Sequence, residues 1–242
     1  GNVLANVKDS FTTKSGGMIP VEVAEHHKKC CDKVVRDALG IAKIELDDVD
    51  LIAFSQGPGL APCLWVGLNT AKKLGGQIKK PVIGVNHCIA HLEIGNQVTG
   101  AKDPVLLYAS GANTQIIAYE AKKYRIFGET LDMGVGNFID SFGRTLGLGF
   151  PAGPKIEKLA AKGKNFIDLP YVVKGMDVSF SGLLTNLKQK FESGKFSKED
   201  LCYSMQENVF AMLLEVSERA MAHCNKNELL LGGGVCCNKR LQ

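Results

Sequence analysis

Strand-like and helix-like segments alternate in the first part of the chain, and this order constrains the fold more than any other feature of the sequence. The apolar stretch 49–59 contains Gly-Pro-Gly and precedes the helix-forming segment 60–78. A second apolar stretch, 80–87, leads into the helix-forming segment 87–100. Parallel strands need a long crossover connection, usually a helix, so this order predicts an α/β unit with a parallel sheet.

Further elements are predicted upstream. Apolar residues recur at positions 3, 5 and 7, which is typical of a half-buried strand. A turn-rich loop over 12–20 and an amphipathic helix over 21–42 follow. Trp65, within the 60–78 segment, is expected to lie in the core.

A different pattern begins near Asp103. Short turns separate the apolar segments 104–110, 113–121 and 124–132, which predicts an antiparallel meander. The remaining predicted elements are helices at 136–147, 152–163 and 197–224, then a buried strand, a glycine-rich turn and a helix beginning about Asn238. We therefore expect two lobes, residues 1–102 and 103–242.

Composition narrows the function classes. No stretch approaches the ~18 consecutive apolar residues of a membrane helix and no signal peptide is apparent, so we expect no membrane association and an intracellular location. The eight cysteines include no CxxC pair, so a metal site would use histidine with carboxylate or phenol ligands. The formal net charge of +4 is compatible with RNA binding, and equally with an ordinary soluble surface.

His87 and His91 are the first candidate site. Residues four apart lie on one face of a helix, and two imidazoles so placed can reach one zinc or iron ion. Two ligands leave the coordination sphere open, so a third from elsewhere is needed. The alternative is a pair of ordinary polar side chains, because this spacing alone is common.

Two small-residue turns are candidate anion sites. In 107–115, backbone N–H groups with the hydroxyls of Ser110 and Thr114 can hold phosphate or carboxylate oxygens. The three glycines at 232–234 let the backbone approach a ligand, although they do not form the GxGxxG order of a dinucleotide fold. A plain hairpin and a tight turn are the alternatives.

Other polar residues have less specific interpretations. Asp140 could bind ribose hydroxyls, and Asp177 could equally be a helix N-cap. The histidines outside the 87–91 pair are interpreted as structural; they are His26, His27 and His223. No side chain stands out as a general base.

The sequence resembles the tRNA threonylcarbamoyladenosine transferase family, which includes the catalytic subunit of the archaeal and eukaryotic KEOPS complex. Within this family, GMDVSFSGLL and GGGVCCNKRLQ most resemble the eukaryotic cytosolic branch. The segments that carry the resemblance occur in order along nearly the whole chain: IPVEVAEHH, AFSQGPGLAPCLWVG, GVNHCIAHLEIG, YASGANTQIIAY, RIFGETLDMGVGNFIDSFGR, LPYVVKGMDVSFSGLL and GGGVCCNKRLQ. The resemblance implies an actin-like (ASKHA) α/β fold like that of sugar kinases and Hsp70, with mixed sheets flanked by helices in two lobes.

The implied reaction transfers the threonylcarbamoyl group from threonylcarbamoyl-AMP to the exocyclic amine of the adenosine 3′ of the anticodon in tRNAs that read ANN codons. The implied cofactor is one divalent iron or zinc ion, held by His87, His91 and Tyr108, and ATP is a further ligand expected in the cleft. The residues implied to contact the adenylate are Tyr108, Ala109, Ser110, Gly111, Ala112, Asp140, Gly153, Glu157 and Asn238. The implied partners are tRNA and the KEOPS subunits, among them a small kinase or ATPase and a dimerising subunit, in the cytoplasm and nucleus.

Several departures from the family pattern bear on activity. Ala112 replaces the second glycine of the usual SGGNTQ, where a methyl group would crowd the ligand if φ were positive. Ala152 replaces the second residue of PGGP, a change that is expected to be benign. The opening phosphate-binding hairpin and a final metal-binding aspartate are not found, so we expect a chain shortened at both ends with weak or absent activity in isolation.

Three other functions compete with this one. An actin-like ATPase or sugar kinase would share the fold but lack HxxxH. A zinc protease needs a glutamate beside its paired histidines, whereas Cys88 follows His87. The third alternative is an actin-like ATP-binding scaffold subunit without catalysis.

Overall fold

The computed structural model describes residues 1–12 and 19–242, which form two compact units, Gly1–Ala90 and His91–Gln242. Most of the loop predicted over 12–20 lies outside the described residues. The boundary between the units falls within a helix, whereas the boundary expected from the sequence follows that helix, at 102/103. No helix in the described part of the chain is long and apolar enough to cross a membrane.

The first unit has the predicted strand and helix order. Its elements are α1 (Pro20–Ala42), a 3₁₀ turn (Leu46–Asp48), β1 (Ile52–Gly57), α2 (Ala61–Ile78), β2 (Val82–Asn86) and the first turn of α3 (His87–Thr99). β1 and β2 pair in parallel with Ile52 opposite Val82, and α2 is the crossover between them. The predicted parallel α/β arrangement is confirmed.

Two predictions for this unit are wrong. Residues 1–12 form no strand, because a strand is defined by backbone pairing and neither strand of this unit pairs with them. The degree of burial does alternate along this segment, since Ala5 and Val7 are half-buried and their neighbours are exposed. Trp65 is 62% exposed rather than in the core, because α2 buries only Ala71 and Gly75 fully.

The second unit is built on a mixed sheet with strand order β5-β4-β3-β8. Its first three strands, β3 (Val105–Ala109), β4 (Thr114–Glu120) and β5 (Lys123–Glu129), form the predicted antiparallel meander. A short antiparallel hairpin, formed by β6 (Val173–Lys174) and β7 (Asp177–Val178), comes later in the chain. The last strand, β8 (Leu229–Gly232), pairs in parallel with β3. β3 is therefore central and buried along its whole length.

Besides the remainder of α3, this unit contains four helices: α4 (Val135–Thr145), α5 (Gly153–Ala160), α6 (Ser181–Glu192) and α7 (Lys198–Cys224). The Ser197 side chain accepts a hydrogen bond from the amide of Asp200 and so caps α7, which begins one residue after the predicted start at 197. Phe138, Phe142 and Phe180 are fully buried in the core, where each contributes roughly 2–3 kcal/mol of hydrophobic stabilisation.

The start of α6 is capped from a distant part of the chain. Asp132 accepts hydrogen bonds from the amides of Phe180 (3.0 Å) and Ser181 (2.9 Å) and from the Ser181 hydroxyl (2.6 Å). Asp177, interpreted above as a possible N-cap, instead accepts the amide of Glu129 at 2.9 Å. That prediction is wrong, because the capping carboxylate comes from another segment.

The end of the chain also differs from expectation. A 3₁₀ turn, Gly234–Cys237, follows β8, and Asn238 is extended, so no helix begins there. The Asn238 side chain takes part in two hydrogen bonds, to Gln206 Oε1 (3.0 Å) and from the amide of Arg240 (2.9 Å). These contacts hold the terminal residues against α7.

Candidate functional site

Tyr108 lies near the end of the central strand β3. It is opposite Gln115 on β4 and Gly232 on β8, and its side chain is 2% exposed. The ring centroids of Tyr108 and His91 are 4.8 Å apart, with the ring planes inclined by 38°. The structure therefore brings together two of the three predicted metal ligands.

Gly232 has no side chain, and this leaves space beside the rings of His91 and Tyr108. A Cβ atom at this position would lie 3.7 Å from both His91 Cβ and Tyr108 Cδ2, and 3.0 Å from Leu106 Cδ1. A side chain larger than methyl would enter the region beside the two rings. The absence of a side chain at Gly232 thus keeps this region open.

Contacts near both ends of α3 fix the position of its backbone, which carries the two histidines. Asn86 Oδ1 accepts hydrogen bonds from the amides of Cys88 (2.9 Å) and Ile89 (3.2 Å), which caps the first turn. Further along, Leu92 is buried, and a Cβ on Gly95 would lie 2.2 Å from a methyl group of Leu230. This close approach fixes α3 against β8 at the level of His91.

The donor set suits a divalent metal ion. Imidazole nitrogens with one oxygen ligand are accepted by zinc and iron, and His91 is already in contact with the Tyr108 ring. His87 is on the same helix, four residues earlier, but belongs to the other compact unit. Its convergence on the same ion stays a prediction.

The small-residue turn after β3 packs against the N-terminus of α4. Carbonyl oxygens of Ser110 and Gly111 accept the amides of Gly136 (2.9 Å) and Asn137 (2.8 Å). The Thr114 hydroxyl accepts the Val135 amide at 2.8 Å. The first amides of α4 therefore bind the turn, and Thr114, predicted to hold a ligand oxygen, holds the helix instead.

The exposed tip of this turn retains amides that can bind an anion. Among the described residues, the N–H groups of Gly111 and Ala112 donate no hydrogen bond. Ala112 is not among the described residues with positive φ, so its methyl group causes no backbone strain. The Ser110 hydroxyl bonds to Asn113 across the turn, at 3.1 Å to its carbonyl oxygen. This hydrogen bond closes the turn beneath its tip.

Two hydrogen bonds connect the residues predicted to hold the nucleoside, one just before α5 and one from the middle of α5. Asp140 Oδ1 accepts the amide of Ala152 (2.8 Å), next to Gly153. Glu157 accepts the amide of Lys239 (3.0 Å), next to Asn238. The carboxylates of Asp140 and Glu157 are thus each held by a backbone amide next to another predicted nucleoside-binding residue.

Comparison with known proteins identifies the family. The profile described as TsaD: tRNA N6-adenosine threonylcarbamoyltransferase matches residues 2–242. A tRNA N6-adenosine threonylcarbamoyltransferase of Thermococcus kodakarensis is 57% identical over 241 residues, covering 100% of this chain and 74% of the relative. The chain belongs to this family.

Other members of the threonylcarbamoyltransferase family are similarly related. The enzyme of that name from Methanocella arvoryzae is 52% identical over 240 residues, covering 99% of this chain and 72% of the relative. A probable bifunctional tRNA threonylcarbamoyladenosine biosynthesis protein from Methanocaldococcus jannaschii is 52% identical over 242 residues, with 100% and 45% coverage. Family membership makes this chain an acyltransferase.

Solved structures show the same fold at low sequence identity. T. kodakarensis HypF superposes with a TM-score of 0.71 at 12% identity, covering 86% of this chain and 38% of HypF. Full-length HypF in its phosphate- and nucleotide-bound form gives 0.66 at 11% identity, with 87% and 43% coverage. Together with the family assignment, this likeness confirms the predicted actin-like fold with mixed sheets and flanking helices.

Two glycines of the candidate site were not recognised from the sequence. A Cβ on Gly134 would lie 2.4 Å from the carbonyl carbon of Ala112, and one on Gly136 would lie 2.7 Å from Ser110 O. Both glycines let α4 approach the turn closely enough to hydrogen-bond it. The GVG order at 134–136 was the available signal, although it does not identify the contacting segment.

Proposed function

We propose that this chain transfers the threonylcarbamoyl group from threonylcarbamoyl-AMP to the exocyclic amine of the adenosine 3′ of the anticodon in tRNAs that read ANN codons. The supporting observation is the position of Tyr108, which contacts His91 and lies on the strand that enters the anion-binding turn. One short segment, 108–112, would thereby position both a metal ion and the acyl phosphate.

The reaction is an acyl transfer. The adenosine amine forms a bond to the carbamoyl carbonyl carbon, the bond from that carbon to the phosphate oxygen breaks, and AMP leaves with the bonding electrons. The amine loses one proton to solvent or product phosphate. A divalent iron or zinc ion held by His87, His91 and Tyr108 would supply Lewis-acid stabilisation of negative charge on oxygen.

The chain's own groups hold the donor in position. The Gly111 and Ala112 amides would donate hydrogen bonds to the phosphate, next to Ala109 and Ser110. Asp140 Oδ1 is engaged with Ala152, so its second oxygen would accept a ribose hydroxyl. Gly153, Glu157 and Asn238 would line the nucleoside site. Because no general base is evident, positioning and charge stabilisation would provide most of the rate acceleration.

Partners follow from the same proposal. The substrate tRNA would bind with KEOPS-type subunits present, a small kinase or ATPase and a dimerising subunit, in the cytoplasm and nucleus. ATP as a second nucleotide ligand is part of the proposal. A basic sequence with an isoelectric point of about 8.6 is compatible with an RNA substrate.

The test compares the unmodified chain with His91→Ala in the presence of tRNA, partner subunits and purified threonylcarbamoyl-AMP. We expect His91→Ala to lose transfer while retaining adenylate binding in calorimetry. The control is His223→Ala, because His223 contacts Phe127 away from the site. Equal transfer by His91→Ala would refute the proposed site. Adenylate binding without transfer by the unmodified chain would favour the scaffold alternative.

A further inference from the structure

A second group of potential metal ligands lies on α1, outside the site described above. Imidazole nitrogens of His26 and His27 and the Cys30 thiol place one ligand atom each within 4.8 Å of one another. Within residues 1–12 and 19–242, this is the only such group of three or more His, Cys, Asp or Glu side chains. All three residues are half-buried, so they are sheltered yet accessible to an ion.

Helix geometry explains the convergence. Cys30 follows His26 by four residues and His27 by three, and side chains with both spacings meet on a helix surface. At 100° per residue, Cys30 projects between the two histidines. The rings of His26 and His27 are 5.4 Å apart and inclined by 72°, so they are not stacked against each other.

Asp9 supplies a carboxylate next to the group. Its Oδ1 atom lies 3.0 Å from His26 Nε2. This separation is that of an ion pair, although Nε2 does not meet hydrogen-bond geometry and is buried without a hydrogen-bond partner among the described residues. A small rotation of His26 would convert the contact into a hydrogen bond, the usual way in which a carboxylate orients a metal-binding imidazole.

We propose that His26, His27 and Cys30 bind one divalent metal ion of the zinc class, with Asp9 orienting His26 and water in the fourth position. Two imidazoles and a thiolate form a ligand set that zinc accepts. Ligand atoms around a tetrahedral zinc are roughly 3.3–3.6 Å apart, given Zn–N of about 2.0–2.1 Å and Zn–S of about 2.3 Å. The separations of up to 4.8 Å need only side-chain rotation to close.

Binding of the metal ion would release the proton of the Cys30 thiol and would involve residues 1–12 through Asp9. Burial, the nearby Asp9 carboxylate and Cys31 raise the pKa of the Cys30 thiol, which also lies 3.5 Å from the His27 carbonyl oxygen. The ion forms its bond to sulfur as the thiol releases one proton to solvent. Because Asp9 belongs to residues 1–12 and orients His26 on α1, ion binding would be coupled to the contact between these two segments.

Cobalt(II) is the probe for the first experiment, since a thiolate ligand gives a charge-transfer absorption band in the near ultraviolet. The background carries His87→Ala and His91→Ala, so that α3 cannot contribute ligands. We expect one cobalt ion per chain with the thiolate band, displaced by zinc. Cys30→Ser should abolish the band, and the matched control Cys31→Ser should retain it. Asp9→Asn should keep the band but weaken binding by about tenfold or more.

A second experiment uses the unmutated chain. Zinc should slow alkylation of Cys30 by iodoacetamide at least tenfold while leaving Cys31 reactive, as resolved by peptide fragmentation in a mass spectrometer. Survival of the cobalt band in Cys30→Ser, its loss in Cys31→Ser, absence of cobalt binding, or equal alkylation of Cys30 with and without zinc would each overturn the proposal.

Discussion

The Tyr108 ring contacts the His91 ring, at 4.8 Å between centroids, while Tyr108 also faces the glycine of the neighbouring strand at position 232. The aromatic ring of Tyr108 is therefore part of the buried sheet, and its phenol oxygen is the atom proposed to bind the ion. The ring of Tyr108 therefore contributes to the core, whereas its hydroxyl group is assigned to metal binding.

Tyr108→Phe should test that separation. We expect the fold to persist, because the ring and its burial are unchanged, while metal affinity and threonylcarbamoyl transfer fall by about tenfold or more with the loss of one ligand oxygen. Metal content by mass spectrometry and transfer to tRNA measure the two effects. Tyr119→Phe, on the exposed face of β4, is the control. Unchanged metal content in Tyr108→Phe would contradict the assigned ligand.

Gly134→Ala should destabilise the protein and reduce donor binding. The new methyl group would lie 2.4 Å from the carbonyl carbon of Ala112, so α4 must move away from the turn that it hydrogen-bonds. We expect a loss of about 1–3 kcal/mol in the free energy of unfolding, measured in urea.

The control for this change is Gly182→Ala on α6, where no atom lies within 4 Å of the added methyl group. Alanine there should raise stability by about 0.5–1 kcal/mol, because it lowers the conformational entropy of the unfolded chain. If both variants behaved alike, the close approach at Gly134 would not determine the packing of α4.

The sequence was sufficient for elements whose signals are local. Apolar periodicity predicted α1 and α7 nearly to their ends, and the alternation of segments predicted the parallel pair β1 and β2. The start of α6 was not predicted, because its capping carboxylate, Asp132, is 49 positions before Ser181. Local pattern cannot reveal a partner that only the tertiary fold brings near.

Site prediction had the same limit. The His87 and His91 spacing indicated a shared helical face, but the third ligand, Tyr108, came from family resemblance rather than from any pattern around it. Thr114 appeared to be a ligand-binding hydroxyl until its contact with the Val135 amide became visible. A hydroxyl in a small-residue turn serves a ligand or a helix end equally well, and the sequence does not distinguish them.

Glu93→Gln should change the titration of Tyr124. The hydrogen bond from the Tyr124 hydroxyl to the Glu93 carboxylate, with partial burial, raises the pKa of Tyr124 to about 12. Removing the negative charge should lower this pKa towards 10, as followed by phenolate absorption. An unchanged titration curve would mean that Glu93 does not hold Tyr124. Glu22→Gln, on α1 in the other unit, provides the control.

Asp132→Asn should destabilise the protein in a pH-dependent way. Partial burial raises the pKa of Asp132, but hydrogen bonds from the Ser181 hydroxyl and the amides of Phe180, Ser181 and Met133 outweigh burial and lower it to about 2. Since the folded pKa is below the unfolded value of about 3.9, the stabilisation is full above pH 4 and is lost as pH falls towards 2.

Because Asp132 is largely exposed, solvent screening reduces its contribution to about 1 kcal/mol, comparable with other helix caps. Urea unfolding should therefore show Asp132→Asn less stable than the unmodified chain by about that amount at pH 7, with the difference shrinking between pH 4 and pH 2. The exposed Asp168→Asn should show no such difference at either pH. A gap that stayed constant with pH would indicate that the amide substitution acts through packing, and that the charge of Asp132 does not stabilise the start of α6.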